Sequence, residues 1–275
     1  MSTAAHRRRR SDGIAFVEQD VDIARVADEI FARYSGEQEV VIDGIPGKAT
    51  FFQPDNCPDY RVMRLAGQLA LAVNRRSQSD AEVAALMEPL RVTVREIMIA
   101  ALLHDLGKHH EDCSPFMTLL QNVDLRGATT ADAARRTHLL NIVRDTHCRK
   151  GPCMLDRLRD AGHKELHNPF IATVARRHGD DYQVNRPAVW WAREINVITL
   201  ADDYDAMVSE GPERAYKSHP ITADEAVGLL RAGVQRGRYE PRLTDLFIQE
   251  VLGNGDSKRG AHGHGAEGLH AESLR

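Results

Sequence analysis

The chain has 275 residues, of which 42% are hydrophobic, 28% charged and only 5% aromatic. These residues are enough for a folded core, and a core rich in Ala, Leu, Val and Ile favours helices over a β-sandwich. The formal net charge of −4 is not that of a domain that binds duplex nucleic acid. No apolar run approaches the ~18 residues of a membrane span. From the charge we expect no duplex as partner, and from the missing apolar run we expect no membrane.

The N-terminal end of the chain is basic and polar. Residues 1–13 contain the run Arg7–Arg10, and no apolar segment follows it, so the sequence predicts a flexible basic arm rather than a secretory signal. The cysteines have no CxxC spacing, which favours reduced thiols and a cytoplasmic protein. The four cysteines are Cys57, Cys113, Cys148 and Cys153.

A small α/β element is expected over residues 14–56. Apolar residues recur at helical spacing in residues 20–34 and predict an amphipathic helix with Asp20 as its N-cap. Two β-rich runs within residues 39–52 flank the turn residues 44–47 and predict a hairpin. The sequence therefore predicts a helix followed by a β-hairpin ahead of the main domain.

The remaining chain is predicted to be one helical domain followed by a tail. From residue 57 to residue 252 the apolar spacing is helical almost throughout, and the breaks fall at segments that contain Gly or Pro. Residues 253–275 are rich in Gly, Ser, Ala and charge, and predict a flexible tail. The expected fold class is mainly α, a helical bundle with the small N-terminal element.

Polar side chains continue the apolar stripes of four predicted helices. In residues 92–108 the stripe that passes through Ala101 continues with a histidine and an aspartate. A single such residue is more often a hydrogen-bonded core or capping residue, but the same feature in four helices indicates a shared site. The residues in question are His104, Asp105, His147, His178 and Asp202.

These five residues have the chemistry of a metal centre. Buried imidazoles and carboxylates cost several kcal/mol of folding free energy unless they are paired or bound to metal. Three imidazoles and two carboxylates that converge in a helical core satisfy one another best around metal ions. Such nitrogen and oxygen donors suit iron, manganese, zinc or similar ions rather than a thiolate site. We expect one or two divalent ions, iron or manganese first.

The residues around the His-Asp pair resemble the HD superfamily of metal-dependent phosphohydrolases, which are helical domains. Residues 104–108 read HDLGK, and residues 147–155 and 192–207 are similar to ligand elements of the HD-GYP branch, the cyclic di-GMP phosphodiesterases. Residues 214–227 resemble the Arg-Pro-Tyr-Arg segment of that branch. The resemblance covers roughly residues 61–252 and implies an HD-domain helical bundle over residues 57–252.

The resemblance also implies an activity and a role for each site residue. The implied reaction is hydrolysis of a phosphodiester, in a cyclic dinucleotide such as cyclic di-GMP or a related nucleotide, by a metal-activated hydroxide. Asp105 would bridge two metals, and with Lys108 it forms the implied catalytic pair. The implied metal ligands are His104, Asp105, His147, His178 and Asp202. The implied phosphate-contacting residues are Lys108, Arg214, Tyr216 and Lys217.

The chain also departs from the HD-GYP pattern. Arg61 stands where the family has a histidine ligand, and the stretch 7–103 contains no histidine. Cys57 and Asp59 are close in sequence to this position, but neither is the expected replacement. Arg177 replaces the first residue of a His-His pair, and the Gly-Tyr-Pro loop is absent. Because a fixed positive charge repels a metal ion but can hold phosphate, both arginines are candidate substrate-binding residues.

Three hypotheses remain open on these residues. The first is a metal-dependent phosphodiesterase that acts on a cyclic dinucleotide. The second, which Arg61 and Arg177 favour, is a catalytically degenerate domain that binds a nucleotide or a partner protein in signalling without hydrolysis. The third is an HD nucleotide phosphohydrolase of another specificity, which explains the missing loop but not residues 214–217. A homodimer or a signalling protein partner is also open.

Overall fold

The computed structural model describes most of the chain between residues 36 and 253. The predicted N-terminal arm, the predicted helix over residues 20–34 and the predicted tail after residue 253 lie outside the described residues, and so does the segment 210–220. The described residues are 36–42, 45–51, 58–78, 87–113, 116, 130–160, 162, 164–209 and 221–253.

The described part of the chain is mainly helical, as the sequence predicted. None of its helices has the length and apolar character of a membrane span. In chain order the helices are α1 (Pro58–Ser77), α2 (Val94–Leu103), α3 (Thr130–Asp160), α4 (Pro169–Arg177), α5 (Tyr182–Ala188), α6 (Ala192–Val208), α7 (Ala223–Gln235) and α8 (Pro241–Leu246). Shorter helical turns are the 3₁₀ turns Leu106–His109 and Lys164–His167 and the π-helical turn Phe247–Leu252. The strands are β1 (Gly36–Ile42) and β2 (Ile45–Phe51), which pair antiparallel.

Capping residues explain where two helices of the site begin. The Thr93 hydroxyl accepts a hydrogen bond from the Glu96 amide, and the Glu96 carboxylate accepts one from the Thr93 amide, so that a capping box starts α2. The Asn168 side chain accepts a hydrogen bond from an amide in the first turn of α4. Each of these helices ends at a histidine: His104 is the C-cap of α2, and His178 is the C-cap of α4.

Helices α2 and α6 lie at the centre of the core. Residues 97–103 of α2 and residues 194–201 of α6 are buried on every face. Helix α1 packs against both of them, and α4 packs against α2 and α3. The structure differs here from the single apolar stripe that the sequence predicted for α2, because neighbouring helices cover α2 on all sides. Polar side chains at the end of α2 therefore lie inside the protein.

Two glycines allow close approach between the elements that carry the site. A Cβ atom at Gly107 would overlap the main chain of His147 in α3, and a Cβ atom at Gly151 would lie 3.0 Å from Cβ of Ala175 in α4. A larger residue at either position requires the backbones to move apart. These glycines therefore set the separation between the turn after α2, helix α3 and helix α4.

Hydrogen bonds hold α6 in position beside the site. The Thr199 hydroxyl of α6 donates to the His178 carbonyl at 2.8 Å, which joins α6 to the end of α4. Further along α6, Asp203 accepts hydrogen bonds from Arg238 Nε at 2.8 Å and from the Tyr239 hydroxyl at 2.7 Å. These contacts fix α6 against α4 and against the segment that precedes α8.

Candidate metal centre

The five residues predicted as metal ligands lie together in the structure. His104 and Asp105 come from the turn that ends α2, His147 from the middle of α3, His178 from the end of α4, and Asp202 from α6. Four of the five are at most 7% exposed, namely His104, Asp105, His147 and His178. The His178 ring centroid lies 4.8 Å from that of His104 and 5.1 Å from that of His147.

The three histidines have the same orientation towards the cluster. In each ring Nδ1 contacts a main-chain carbonyl one helical turn back: Ala101 for His104 at 2.6 Å, Val143 for His147 at 2.7 Å, and Val174 for His178 at 3.0 Å. Because a carbonyl only accepts, Nδ1 carries the hydrogen, and in the neutral ring Nε2 presents a lone pair. In histidine metal ligands, a hydrogen bond of this kind from the other ring nitrogen fixes the orientation of the ring.

Asp105 faces the histidines with both carboxylate oxygens. Its Oδ1 lies 3.4 Å from Nε2 of His147 and 3.4 Å from Nε2 of His178. Its Oδ2 lies 3.3 Å from Nε2 of His104 and forms an ion pair with the Lys108 ammonium group. A carboxylate in this position can bind two ions, one through each oxygen.

The two oxygens of Asp105 divide the donors into two subsites. We call Asp105 Oδ2, His104 and Asp202 the first subsite, in which Asp202 Oδ1 lies 3.5 Å from His104 Nε2. We call Asp105 Oδ1, His147 and His178 the second subsite, in which the two Nε2 atoms are 3.1 Å apart. Within the part of the chain that the structure describes, two groups of side chains have ligand atoms within 4.8 Å of one another, close enough to hold a metal ion: His104, Asp105 and His178, and His147, Cys148 and His178.

His104 Nε2 is a buried polar atom that makes no hydrogen bond. It lies 3.3 Å from Asp105 Oδ2 and 3.5 Å from Asp202 Oδ1. Burial lowers the pKa of His104, whereas the two carboxylates outweigh burial and raise that pKa well above its ordinary value. The position between these atoms therefore favours a cation, either a proton or a metal ion.

Two carboxylates of the cluster, Asp105 and Asp202, are held in the ionised state. Burial raises the pKa of Asp105, but the charges of Lys108 and His104 outweigh it and hold that pKa well below its usual range. Asp202 behaves in the same way: burial acts against ionisation, and His104 lowers the pKa of this carboxyl. Burial lowers the pKa of His147 to about 4, so this ring is neutral near pH 7. Anionic oxygens beside the neutral imidazole of His147 are suitable donors for a divalent ion.

The two arginines that the resemblance places at ligand positions form ion pairs with other residues. Arg61 forms a bidentate ion pair with the buried Asp205, with its Nε 2.7 Å from Oδ1 and its Nη2 3.1 Å from Oδ2. Arg177 donates to Asp180 Oδ2 at 3.0 Å. Each guanidinium charge is thus offset by a carboxylate. The remaining predicted phosphate contacts, Arg214, Tyr216 and Lys217, lie outside the described residues.

Asp59 is a member of the cluster that we did not expect as a ligand. Its side chain is buried, its Oδ1 lies 3.8 Å from Nδ1 of His104, and burial raises its pKa to about 6, with His104 opposing. The stripe criterion could have found it, because Asp59 precedes the buried Val62 and Met63 of α1 by three and four residues. Asp59 therefore places a further oxygen near His104.

Cys148 also lies at the cluster. Its Sγ is 3.3 Å from Nε2 of His147, the preceding residue in α3. Burial raises the pKa of this thiol to about 12. Nothing in the apolar spacing of the sequence singles out Cys148, because it does not continue a stripe.

No protein-family model, no curated protein and no solved structure matches this chain. The arrangement of these side chains and their chemistry are therefore what supports a functional interpretation.

Proposed function

We propose that the protein is a metal-dependent phosphohydrolase of the HD type, with a divalent ion on each side of Asp105. The observation that carries this proposal is the carboxylate of Asp105, whose Oδ2 faces His104 and whose Oδ1 faces His147 and His178. A carboxylate with a purely structural role can be stabilised by ordinary hydrogen bonds, without three imidazoles directed at it. If Asp105 instead binds two ions, each ion requires further ligands, and the three imidazoles can supply them.

The residues present fit divalent ions well. The hydrogen bonds of Nδ1 direct three Nε2 atoms inward, and His104 Nε2 is buried without a hydrogen bond. The first subsite would hold one ion through His104, Asp202 and Asp105, and the second would hold another through His147, His178 and Asp105. When bound, such ions lower the pKa of a water molecule towards neutrality and polarise a phosphoryl oxygen, which is the chemistry that phosphodiester hydrolysis requires.

The partly exposed residues of the cluster indicate where a substrate would approach. The side chains of Lys108 and Asp202 are 26% and 24% exposed, whereas that of His104 is fully buried. A phosphate group can therefore reach the cluster from the side of Lys108 and Asp202. There the Lys108 ammonium group would exchange part of its contact with Asp105 for a phosphoryl oxygen and stabilise the negative charge that develops during reaction.

The ion pairs of the two arginines favour hydrolysis over binding alone. The sequence favours the non-hydrolytic hypothesis through Arg61 and Arg177, which would bring positive charge to ligand positions. Their carboxylate partners, Asp205 and Asp180, instead offset that charge. Four further points stay predictions: a cyclic dinucleotide as substrate, iron or manganese as the ion, a homodimer or signalling partner, and a cytoplasmic location.

The proposal is tested by metal content and turnover of the purified full chain. We expect about two ions per chain and hydrolysis of a generic aryl phosphodiester or of cyclic di-GMP in the presence of Mn²⁺ or Fe²⁺. The variant Asp105→Asn should lose both properties, whereas the control Asp245→Asn, at an exposed position of α8, should keep them. A wild-type chain without metal and without turnover that still binds a nucleotide would instead support the non-hydrolytic hypothesis.

A further inference from the structure

We infer that Cys148 is a metal ligand, and that its thiolate completes a four-donor second subsite that takes a thiophilic ion such as Zn²⁺. The inference rests on the proposed metal centre and extends it beyond the nitrogen and oxygen ligands described above. The four donor atoms are Cys148 Sγ, His147 Nε2, His178 Nε2 and Asp105 Oδ1.

Four of the six distances among these atoms match the edges of a tetrahedral site. Sγ lies 3.3 Å from His147 Nε2, the two Nε2 atoms are 3.1 Å apart, and Asp105 Oδ1 is 3.4 Å from each of them. Sγ is also within 4.8 Å of the ligand nitrogen of His178. Around a zinc ion with Zn–N of about 2.0 Å and Zn–S of about 2.3 Å, the edges of a tetrahedron are about 3.3–3.6 Å. These four distances are therefore close to those around one ion, and Sγ lies beside one of the two imidazoles that Asp105 Oδ1 also faces.

The two imidazoles supply an independent reason for a cation at this place. The Nδ1 atoms of His147 and His178 both donate to main-chain carbonyls. In the neutral rings both Nε2 atoms therefore present lone pairs, and they do so at 3.1 Å from each other. Two acceptors at this distance repel unless a positive charge lies between them. A metal ion bound by both nitrogens removes the repulsion, and the Cys148 sulfur lies beside the same pair.

The other cysteines of the described part of the chain lie in different surroundings. Cys113 is fully buried in a small apolar cluster with Leu139 and Val143, which is the environment of a structural cysteine. Cys153 is exposed, although it lies only five residues beyond Cys148 in the same helix. Cys148 alone among these three has its sulfur against a ring nitrogen of the proposed centre. Cys153 is therefore a matched control.

The thiolate would make the two subsites chemically unequal. The second subsite would combine one sulfur, two imidazole nitrogens and one carboxylate oxygen, a set that selects Zn²⁺ over Mn²⁺. The first subsite has one imidazole and carboxylate oxygens and suits a harder ion. On binding, a sulfur–metal bond forms and the thiol proton passes to solvent, with no change in oxidation state.

Cobalt(II) substitution tests the inference without any measurement of activity. The full-length wild-type chain and the variants Cys148→Ser and Cys153→Ser are titrated with Co²⁺ under reducing, anaerobic conditions. We expect a near-ultraviolet sulfur-to-cobalt charge-transfer band in the wild-type chain and in Cys153→Ser, and no such band in Cys148→Ser. The Zn²⁺ affinity of Cys148→Ser should fall more than about 10-fold, because even loss of an outer-shell partner of a ligand has that effect.

The outcomes separate this inference from the proposed function. Visible cobalt bands without a charge-transfer band in the wild-type chain would overturn the role of Cys148 and leave the metal centre in place. A wild-type chain that binds no cobalt would overturn both. If Cys148→Ser fails to fold, X-ray absorption of the zinc-loaded wild-type chain decides the question, because a sulfur neighbour at about 2.3 Å supports the inference and a first shell of nitrogen and oxygen alone contradicts it.

Discussion

Arg61 and Asp205 form a bidentate ion pair between α1 and α6, with Nε 2.7 Å from Oδ1 and Nη2 3.1 Å from Oδ2. Asp205 is only 3% exposed, whereas the Arg61 side chain is 30% exposed. The pair places a positive charge beside a buried carboxylate rather than on the metal ligands. Arg61 thus has a structural partner at the position where the resembled family has a ligand.

Removal of this arginine should affect stability rather than metal binding. Arg61→Ala leaves the buried Asp205 carboxylate without its guanidinium partner, which should lower the free energy of unfolding by about 1–3 kcal/mol, since the arginine is partly solvated. Urea denaturation measures this change, and Arg64→Ala, an exposed arginine of the same helix, is the control. Loss of metal at unchanged stability would show that Arg61 acts at the site instead.

Lys108 should matter for turnover more than for metal content. Its ammonium group pairs with Asp105 Oδ2 at the exposed side of the cluster. Lys108→Met should lower kcat/KM for a phosphodiester about 100-fold or more, because a charge that stabilises the phosphoryl oxygens is removed. Steady-state kinetics and metal analysis are run beside Lys150→Met, a lysine that pairs with Asp112. Equal losses in both variants would argue against a specific role for Lys108.

The close contact at Gly107 predicts that a larger side chain there lowers stability and weakens metal binding. In Gly107→Ala the new Cβ atom meets the main chain of His147, so we expect a loss of about 2–3 kcal/mol in stability and weaker metal binding as α3 moves away. Gly228→Ala in α7 is the control, because no atom lies within 4 Å of its Cβ position. That exposed helical substitution should instead raise stability by up to about 1 kcal/mol. Thermal unfolding of both variants measures the difference.

The buried carboxyl group of Asp59 should make the stability of the metal-free protein depend on pH. Burial raises its pKa to about 6 in the folded state, with His104 opposing, whereas the unfolded value is about 3.9. The folded chain therefore binds the proton more tightly, and the contribution of Asp59 to stability is complete below about pH 4 and is lost as the pH rises through about 6.

The variant Asp59→Asn isolates this contribution from those of the other ionisable groups. In the wild-type chain, ionisation of Asp59 should lower the free energy of unfolding by about 1–3 kcal/mol between pH 4 and pH 6.5, and Asp59→Asn should lack this decrease. Denaturant unfolding of both chains, with chelator present, measures the difference. The same comparison with Asp245→Asn, an exposed aspartate, should show no such difference. Parallel pH profiles for the wild-type chain and Asp59→Asn would contradict the raised pKa.

Helical periodicity was enough to bring out most of the candidate site. His104, Asp105, His147, His178 and Asp202 each continue an apolar stripe, and the structure brings all five together. The reason is geometric: residues three and four apart share one face of a helix, and that face is buried in the core. The mainly α fold class of the described residues follows from the same pattern.

The contacts between helices could not be obtained in this way. Periodicity assigns Arg61 to a face of α1, but the carboxylate opposite it is 144 positions further along the chain. Cys148 is rotated by about 100° from His147 around the helix axis, so the pattern places it off the stripe. Its sulfur nevertheless lies 3.3 Å from Nε2 of His147 and close to Gly179, which follows α4. Such distances depend on how side chains of different helices interlock, and a linear pattern of apolar residues does not encode that packing.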